Sequence, residues 1–197
     1  SSPRIYIPPE SDFIPRFFLE RPTAPLSQQR IDRLLRIIFD HYRFAKEWQG
    51  EPPTTLDFLG QMEDRTPAAF LDALYQAYAR QHDAIRWGDK TPIYTSYVDL
   101  LHRIFPTAQF IHIIRDGRDV ALSTLDKWGQ KELHVDLYYA ARIWTRRIQD
   151  ARAAASHLGS GQYYELRYEH LVEDAEKELR AVCDFLDETY IPAMANS

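Results

Sequence analysis

A single cysteine, Cys183, has no partner in the chain for a disulfide. It falls in an apolar helical pattern, so it reads as a reduced core residue. No apolar run approaches about 18 residues and no signal peptide precedes the first strand, so a membrane-spanning helix is excluded and the expected location is the cytoplasm. Positive charge is not in excess either. The 24 Lys and Arg stand against 29 Asp and Glu, a net charge of −5, so the protein as a whole is no polyanion binder and any phosphate chemistry must be local. No cluster of His, Cys, Asp or Glu has metal-ligand spacing. A kinase of the phosphate-loop type would need a Walker lysine and a magnesium-binding acid, and neither is visible. What is present, at 45% hydrophobic and 27% charged over 197 residues, is one ordinary globular domain or most of one.

The richest stretch runs from Phe110 to Ser123. Phe110-Ile111-His112-Ile113-Ile114 reads as a buried parallel strand, Gly117 as the permissive residue of a tight turn, and the following residues as a helix that Asp116 or Asp119 caps. Arg115 stands at the strand's carboxyl end, where ligands sit in open α/β sheets, and its planar fork can hold two phosphate oxygens. Ser123 lies about two helical turns further on, where its hydroxyl could close on the same anion. Taken alone, the stretch reads equally well as Arg115 paired with Asp116 or Asp119 and Ser123 on a solvated helix face.

In chain order, Arg4-Ile5-Tyr6-Ile7 is a short strand stopped by Pro8-Pro9, which leaves Glu10 just past a strand's carboxyl end. Glu10 also reads as a solvated loop acid. From Ser27, a plausible cap, the residues Ile31, Leu34, Leu35, Ile38, Phe39 and Tyr42 recur at helical spacing. A short helix is expected over 56–62. Thr66 then caps a long one in which Phe70, Leu71, Leu74, Tyr75 and Tyr78 share a face. Residues 27–83 thus form a helical insertion between strands. A strand over 85–88 follows, with Lys90 beyond its tip, either a point charge for a phosphate or developing oxyanion or a partner of Asp89.

Thr95 or Ser96 caps a helix that ends at Pro106. The helix that carries Ser123 stops at Gly129, and another is expected over 135–158 with Leu137, Tyr138, Ala141, Trp144, Ile148 and Ala151 inward. Its Arg142, Arg146, Arg147 and Arg152 read as a solvated face rather than a nucleic-acid patch. The aromatic run over 162–168 is a strand with Tyr168 at its end, and a last helix over 173–186 buries Leu179, Val182, Cys183 and Leu186. Alternating strands and helices imply parallel pairing through crossovers. Glu10, Lys90, Arg115 and Tyr168 each follow a different strand, so all four are expected along one edge of the sheet.

Asp89-Lys90-Thr91-Pro92, Phe105-Pro106, Ile114-Arg115-Asp116-Gly117-Arg118-Asp119-Val120-Ala121-Leu122-Ser123 and Arg167-Tyr168-Glu169-His170-Leu171-Val172 together resemble the sulfotransferases that use 3′-phosphoadenosine 5′-phosphosulfate (PAPS). The run Pro9-Glu10-Ser11-Asp12-Phe13-Ile14-Pro15-Arg16 is similar to the tyrosylprotein and bacterial branch of that family, and the likeness extends over residues 4–186. The resemblance implies a parallel central sheet flanked by helices. It also implies that Arg115 and Ser123 hold the 3′-phosphate of PAPS, that Tyr168 contacts the nucleotide, and that Lys90 sits near the sulfonate. Glu10 would be the general base that deprotonates the acceptor hydroxyl. PAPS would be the co-substrate, with no metal. The acceptor would be a small molecule, glycan, lipid or peptide tyrosine.

The family also carries a first strand and a phosphate loop of the type Arg-Ser-Gly-Thr-Thr, whose amides cradle the 5′-phosphosulfate. That loop is expected upstream of Ser1, and the chain is read as truncated at both ends and inactive alone. The competing reading is a nucleotide-binding or interaction module that retains the 3′-phosphate cradle and transfers nothing.

Overall fold

Polar residues immediately ahead of apolar stripes set the helix starts. The computed structural model describes residues 4–128 and 136–196. The expected stop at Gly129 and the expected start at Val135 lie outside the described residues. The chain divides into two compact units, Ser1–Tyr94 with Leu100–Pro106, and Thr95–Asp99 with Thr107–Ser197.

In the first unit, strand β1 (Ile5–Tyr6) leads to helix α1 (Ile14–Phe18) and then to α2 (Gln28–His41), whose first turn is capped by the Ser27 side chain accepting from the Arg30 amide. A 3-10 turn (Arg43–Glu47) precedes α3 (Thr55–Leu59), which opens on a capping box between Thr54 and Asp57. Helix α4 (Pro67–Gln81) is capped by Thr66 and has proline in its first turn, as the sequence predicts. Strand β2 (Arg86–Trp87) returns parallel to β1, with Ile5 opposite Arg86 and Tyr6 opposite Trp87. The α2 stripe buries Ile31, Leu34, Leu35 and Ile38, and the α4 stripe buries Phe70, Leu71, Leu74, Tyr75 and Tyr78. Each such side chain removed from water contributes about 1.5–3 kcal/mol.

Where Thr95 or Ser96 is expected as a cap, a 3-10 segment (Pro92–Tyr97) runs directly into α5 (Val98–Ile104).

The second unit is built on β3 (Phe110–Ile114), α6 (Gly117–Trp128), α7 (Leu137–Ala155) and β4 (Tyr163–Arg167), followed by α8 (Tyr168–Glu173) and α9 (Ala175–Leu186). Strands β3 and β4 pair in parallel from Phe110 opposite Tyr163 to Ile114 opposite Arg167. The architecture is α/β with parallel pairing, and among the described residues the strands form two parallel pairs, β1–β2 and β3–β4. Ala151 and Ala154 of α7 pack on Val98, with Phe110 and Leu158 against them.

The inward face of α7 is the expected one over its later turns, where Ala151 is buried and Trp144 and Ile148 are half-buried, and differs from it at the start. Leu137 and Tyr138 are 58% and 69% exposed and Ala141 is exposed, while Ala140, Ala151 and Ala154 are buried. Alanine carries little hydropathy, so the larger exposed residues at the start of the helix drew the first turn of the stripe away from Ala140. Cys183 is buried and free, as expected, with its thiol 3.8 Å from the Met194 sulfur. Among the described residues no helix is long and apolar enough to cross a membrane.

Candidate active site

Two sets of nominated residues are brought together, one in each unit. In the first, the Lys90 ammonium donates to the Glu10 carboxylate at 2.5 Å, across a sequence separation of 80 residues. The two side chains are 66% and 37% exposed, so the pair faces solvent and is open to a substrate. An exposed pair of this kind contributes about 0–1 kcal/mol to stability. Its interest lies in the chemistry, because an acid and a cation are held in direct contact at the tips of two neighbouring strands.

Beneath that pair is a polar cluster that sequence reasoning missed. Ser11 is 0% exposed; its hydroxyl donates to Asp89 Oδ2 at 2.5 Å and its amide donates to Thr91 Oγ1 at 3.1 Å. The Thr91 hydroxyl donates to Asp89 Oδ1 at 2.6 Å, and the Tyr75 hydroxyl donates to Asp89 Oδ2. Tyr94 OH lies 2.6 Å from Ser11 Oγ and accepts from the Ile14 amide. Partial burial pushes the Asp89 carboxyl above its usual range, and the hydroxyls of Ser11, Thr91 and Tyr75 pull it back. Burial first, and then the Asp89 carboxylate, push the Tyr75 phenol well above its ordinary value. The alternative reading of Lys90 as a partner of Asp89 gives way to this arrangement, in which Lys90 pairs with Glu10 and the Asp89 carboxylate is served by three hydroxyls. One signal was available: a tyrosine stripe buried along α4 leaves phenolic hydroxyls that need partners.

In the second unit, Arg115 follows β3 and Tyr168 opens α8 directly after β4. The guanidinium lies 5.1 Å from the centroid of the Tyr168 ring and donates to Asp119 at 3.2 Å. Ser123 is exposed on α6, and no hydrogen bond joins it to Arg115 among the described residues. The ion pair that the sequence left open as an alternative for Arg115 is therefore made, with Asp119. Asp116 is the cap: its carboxylate accepts from the Arg118 amide at 2.8 Å and from the Arg118 guanidinium at 3.0 and 2.7 Å, which holds its pKa at about 2.

Two further residues fix this turn. Glu169 accepts from the Asp116 amide at 2.7 Å, and that contact lowers its pKa. Trp144 Nε1 donates to the Arg115 carbonyl at 3.0 Å. Gly117 does not adopt the left-handed conformation expected of a permissive turn residue. It is glycine because a Cβ there would meet the Trp144 indole at 3.0 Å.

Of the α7 arginines, Arg152 forks onto Glu165 at 2.8 and 2.9 Å and Arg146 pairs with Asp150 at 3.7 Å. Arg142 lies over the Tyr138 ring.

A family model described as the Sulfotransferase family matches residues 1–192. An uncharacterized protein of Aquifex aeolicus is 30% identical over 146 residues, covering 72% of this chain and 18% of that protein. The omega-hydroxy-beta-dihydromenaquinone-9 sulfotransferase of Mycobacterium bovis is 30% identical over 128 residues, covering 53% of this chain and 30% of its own length. The chain thus spans less than a third of the curated relatives it matches. Among solved structures, a sulfotransferase domain from the curacin biosynthetic pathway superposes with a TM-score of 0.60 at 16% identity, over 98% of this chain and 68% of that one. The sulfotransferase domain of the Synechococcus PCC 7002 olefin synthase gives 0.54 at 18% identity, over 96% and 74%.

Proposed function

The chain belongs to the Sulfotransferase family, and from that premise we propose that it transfers a sulfuryl group from PAPS to an acceptor hydroxyl, with Glu10 as general base and Lys90 as the cation at the reacting oxygens. The observation that carries this reading is the direct contact of Glu10 with Lys90, both solvent-facing. As an acceptor hydroxyl enters, the Glu10 carboxylate takes its proton while the acceptor oxygen forms a bond to sulfur and the bond from sulfur to the donor's phosphate oxygen breaks. The proton ends on Glu10, the sulfuryl group on the acceptor, and 3′-phosphoadenosine 5′-phosphate leaves. Lys90, released from Glu10 as that carboxylate is neutralised, faces the negative charge that gathers on the transferring and leaving oxygens. A displacement of this kind needs positioning and charge stabilisation more than covalent help.

Arg115 would grip the donor's 3′-phosphate with its fork, Ser123 would add a hydroxyl donor, and the Tyr168 ring would lie beside the nucleotide. An arginine already held over an aromatic ring, as Arg115 is over Tyr168, loses little further freedom on binding an anion. The acceptor is a hydroxyl compound by family chemistry, and the mycobacterial relative, by its name an omega-hydroxy-beta-dihydromenaquinone-9 sulfotransferase, favours a lipid among the candidate classes.

The test uses the full-length protein with radiolabelled PAPS and a panel of alcohols, phenols, sugars and hydroxylated lipids. Glu10→Ala should lower turnover on any accepted substrate by roughly 10²-fold or more while leaving 3′-phosphoadenosine 5′-phosphate binding intact. Full turnover in that variant removes Glu10 from the base role.

A further inference from the structure

The contact between Glu10 and Lys90 has little to hold it in place from the strands alone. Strands β1 and β2 are two residues each, and their last matched pair is Tyr6 opposite Trp87. Beyond that pair the chain runs four residues to Glu10 and three to Lys90 as irregular backbone. What joins these two tips is the polar cluster below them, and it is built from the immediate neighbours of the two nominated residues. Ser11 follows Glu10; Asp89 precedes Lys90 and Thr91 follows it.

Proton bookkeeping gives the cluster a direction. The Asp89 carboxylate only accepts, so Ser11 gives it its single hydroxyl proton, and Tyr94, which accepts from the Ile14 amide, donates to Ser11 Oγ. The Ser11 amide donates to Thr91 Oγ1, and the Thr91 proton likewise goes to Asp89. Tyr75 reaches the same carboxylate from α4, and stacking on Trp87, with ring centroids 4.4 Å apart, keeps its ring in place. Three hydroxyls, those of Ser11, Thr91 and Tyr75, thus converge on Asp89 from three elements of the chain, with Tyr94 behind Ser11. Immediately after Ser11, Asp12 is forced into the left-handed region at φ 44°, a conformation that persists only where the neighbouring residues are firmly fixed.

We propose that Ser11 and Asp89 are positioning residues of the transfer reaction: their hydrogen bond, with Thr91, Tyr75 and Tyr94 around it, locks the loops after β1 and β2 so that Glu10 and Lys90 are presented in register to the acceptor. This inference rests on the reading of Glu10 and Lys90 given above and deepens it. A displacement of about 1 Å in a reacting group is enough to cost about 10²-fold in rate. Removing one hydroxyl from the cluster weakens the hydrogen bonding that joins the two loops.

The experiment measures kcat and KM in the full-length protein for Ser11→Ala and for Tyr75→Phe, each alone and in a Glu10→Ala background, with thermal melts as folding controls. Tyr75→Phe keeps the ring and its stack, so it remains informative if the serine variant folds poorly. Both single variants should lower kcat by about tenfold or more, with KM for PAPS within about twofold. Each should lower turnover by a clearly smaller factor in the Glu10→Ala background than alone, because only Lys90 is then left to position. Equal losses in both backgrounds, or kcat unchanged while Glu10→Ala is crippled, overturn the positioning role and leave the base assignment standing. Full turnover in Glu10→Ala itself overturns the base assignment, and the positioning of Glu10 falls with it.

Discussion

The indole of Trp144 lies against Gly117 so closely that a Cβ at that glycine would come within 3.0 Å of two ring carbons and 3.1 Å of a third. The same indole donates to the Arg115 carbonyl, so one ring fixes both the start of α6 and the backbone that carries the nominated phosphate ligand. Gly117→Ala should push the ring away. Overpacking of this kind costs about 1–3 kcal/mol, against which the better helix propensity of alanine returns up to about 1 kcal/mol. The expected result is a fall in Tm of several degrees. Adding Trp144→Phe, which shortens the ring system, should recover part of that loss. Strict additivity of the two substitutions would show that the close approach is not the reason for the glycine.

The cap of α6 makes acid sensitivity predictable. Asp116 titrates near 2 in the folded chain because Arg118 donates to it through side chain and backbone, whereas its ordinary value is 3.8. A carboxyl depressed by folding contributes stability that is complete above its unfolded value and is lost as pH falls through the folded one. Stability should therefore decline between about pH 4 and pH 2 in part through this group. Asp116→Asn, which keeps a capping oxygen, should flatten that segment of an acid-unfolding curve and lower stability at neutral pH. An unchanged slope would mean that the pair with Arg118 does not persist in solution.

The elements that sequence reasoning found are those whose signals are local. Ser27 and Thr66 precede apolar stripes and cap α2 and α4; β1 ends ahead of Pro8-Pro9, and β2 covers the middle two residues of the strand expected over 85–88. The run from Phe110 to Ile114 is a strand over its full predicted length. What was not legible depends on three-dimensional proximity. The meeting of Glu10 and Lys90 spans 80 residues, and nothing local distinguishes it from two solvated loop charges. Tyr75 scored as core by its helical spacing, which it is, but spacing says nothing of where its hydroxyl goes. The glycine after Asp116 suggested a positive φ when its cause is a ring from α7, some 27 residues away in sequence. Arg115 offered two carboxylate partners, and only geometry selects Asp119.

Phe44 shows the same limit for the core. It sits in the 3-10 turn Arg43–Glu47, outside the helical period, yet it is fully buried with edge-on contacts to Phe13, Tyr75 and Tyr78 at centroid distances of 5.5, 5.0 and 5.0 Å. Its carbonyl also accepts the Tyr78 hydroxyl at 2.7 Å. Phe44→Ala should cost about 3–5 kcal/mol by opening a cavity among these rings. Urea denaturation should show a lower midpoint with little change in slope. A loss below about 1 kcal/mol would mean that the surrounding rings collapse into the space.

The Arg115–Asp119 pair sets up a competition that binding measurements can read. Both side chains are close to half-exposed, and an exposed ion pair of this kind, here joining the end of β3 to the first turn of α6, is worth about 0–1 kcal/mol. Charge-assisted hydrogen bonds of the kind Arg115 would give a phosphate are worth about 1.5–3 kcal/mol, so an arriving 3′-phosphate should displace Asp119 readily. Calorimetry of 3′-phosphoadenosine 5′-phosphate with the full-length protein should show Arg115→Ala weakening binding by that amount, about ten- to 150-fold. Arg115→Lys should recover only part of it, because an ammonium lacks the fork. Asp119→Asn should instead tighten binding slightly at low salt, since it removes a negative charge that faces the anion, and the gain should fade as salt is raised. Unchanged affinity in Arg115→Ala would take the 3′-phosphate away from this turn altogether.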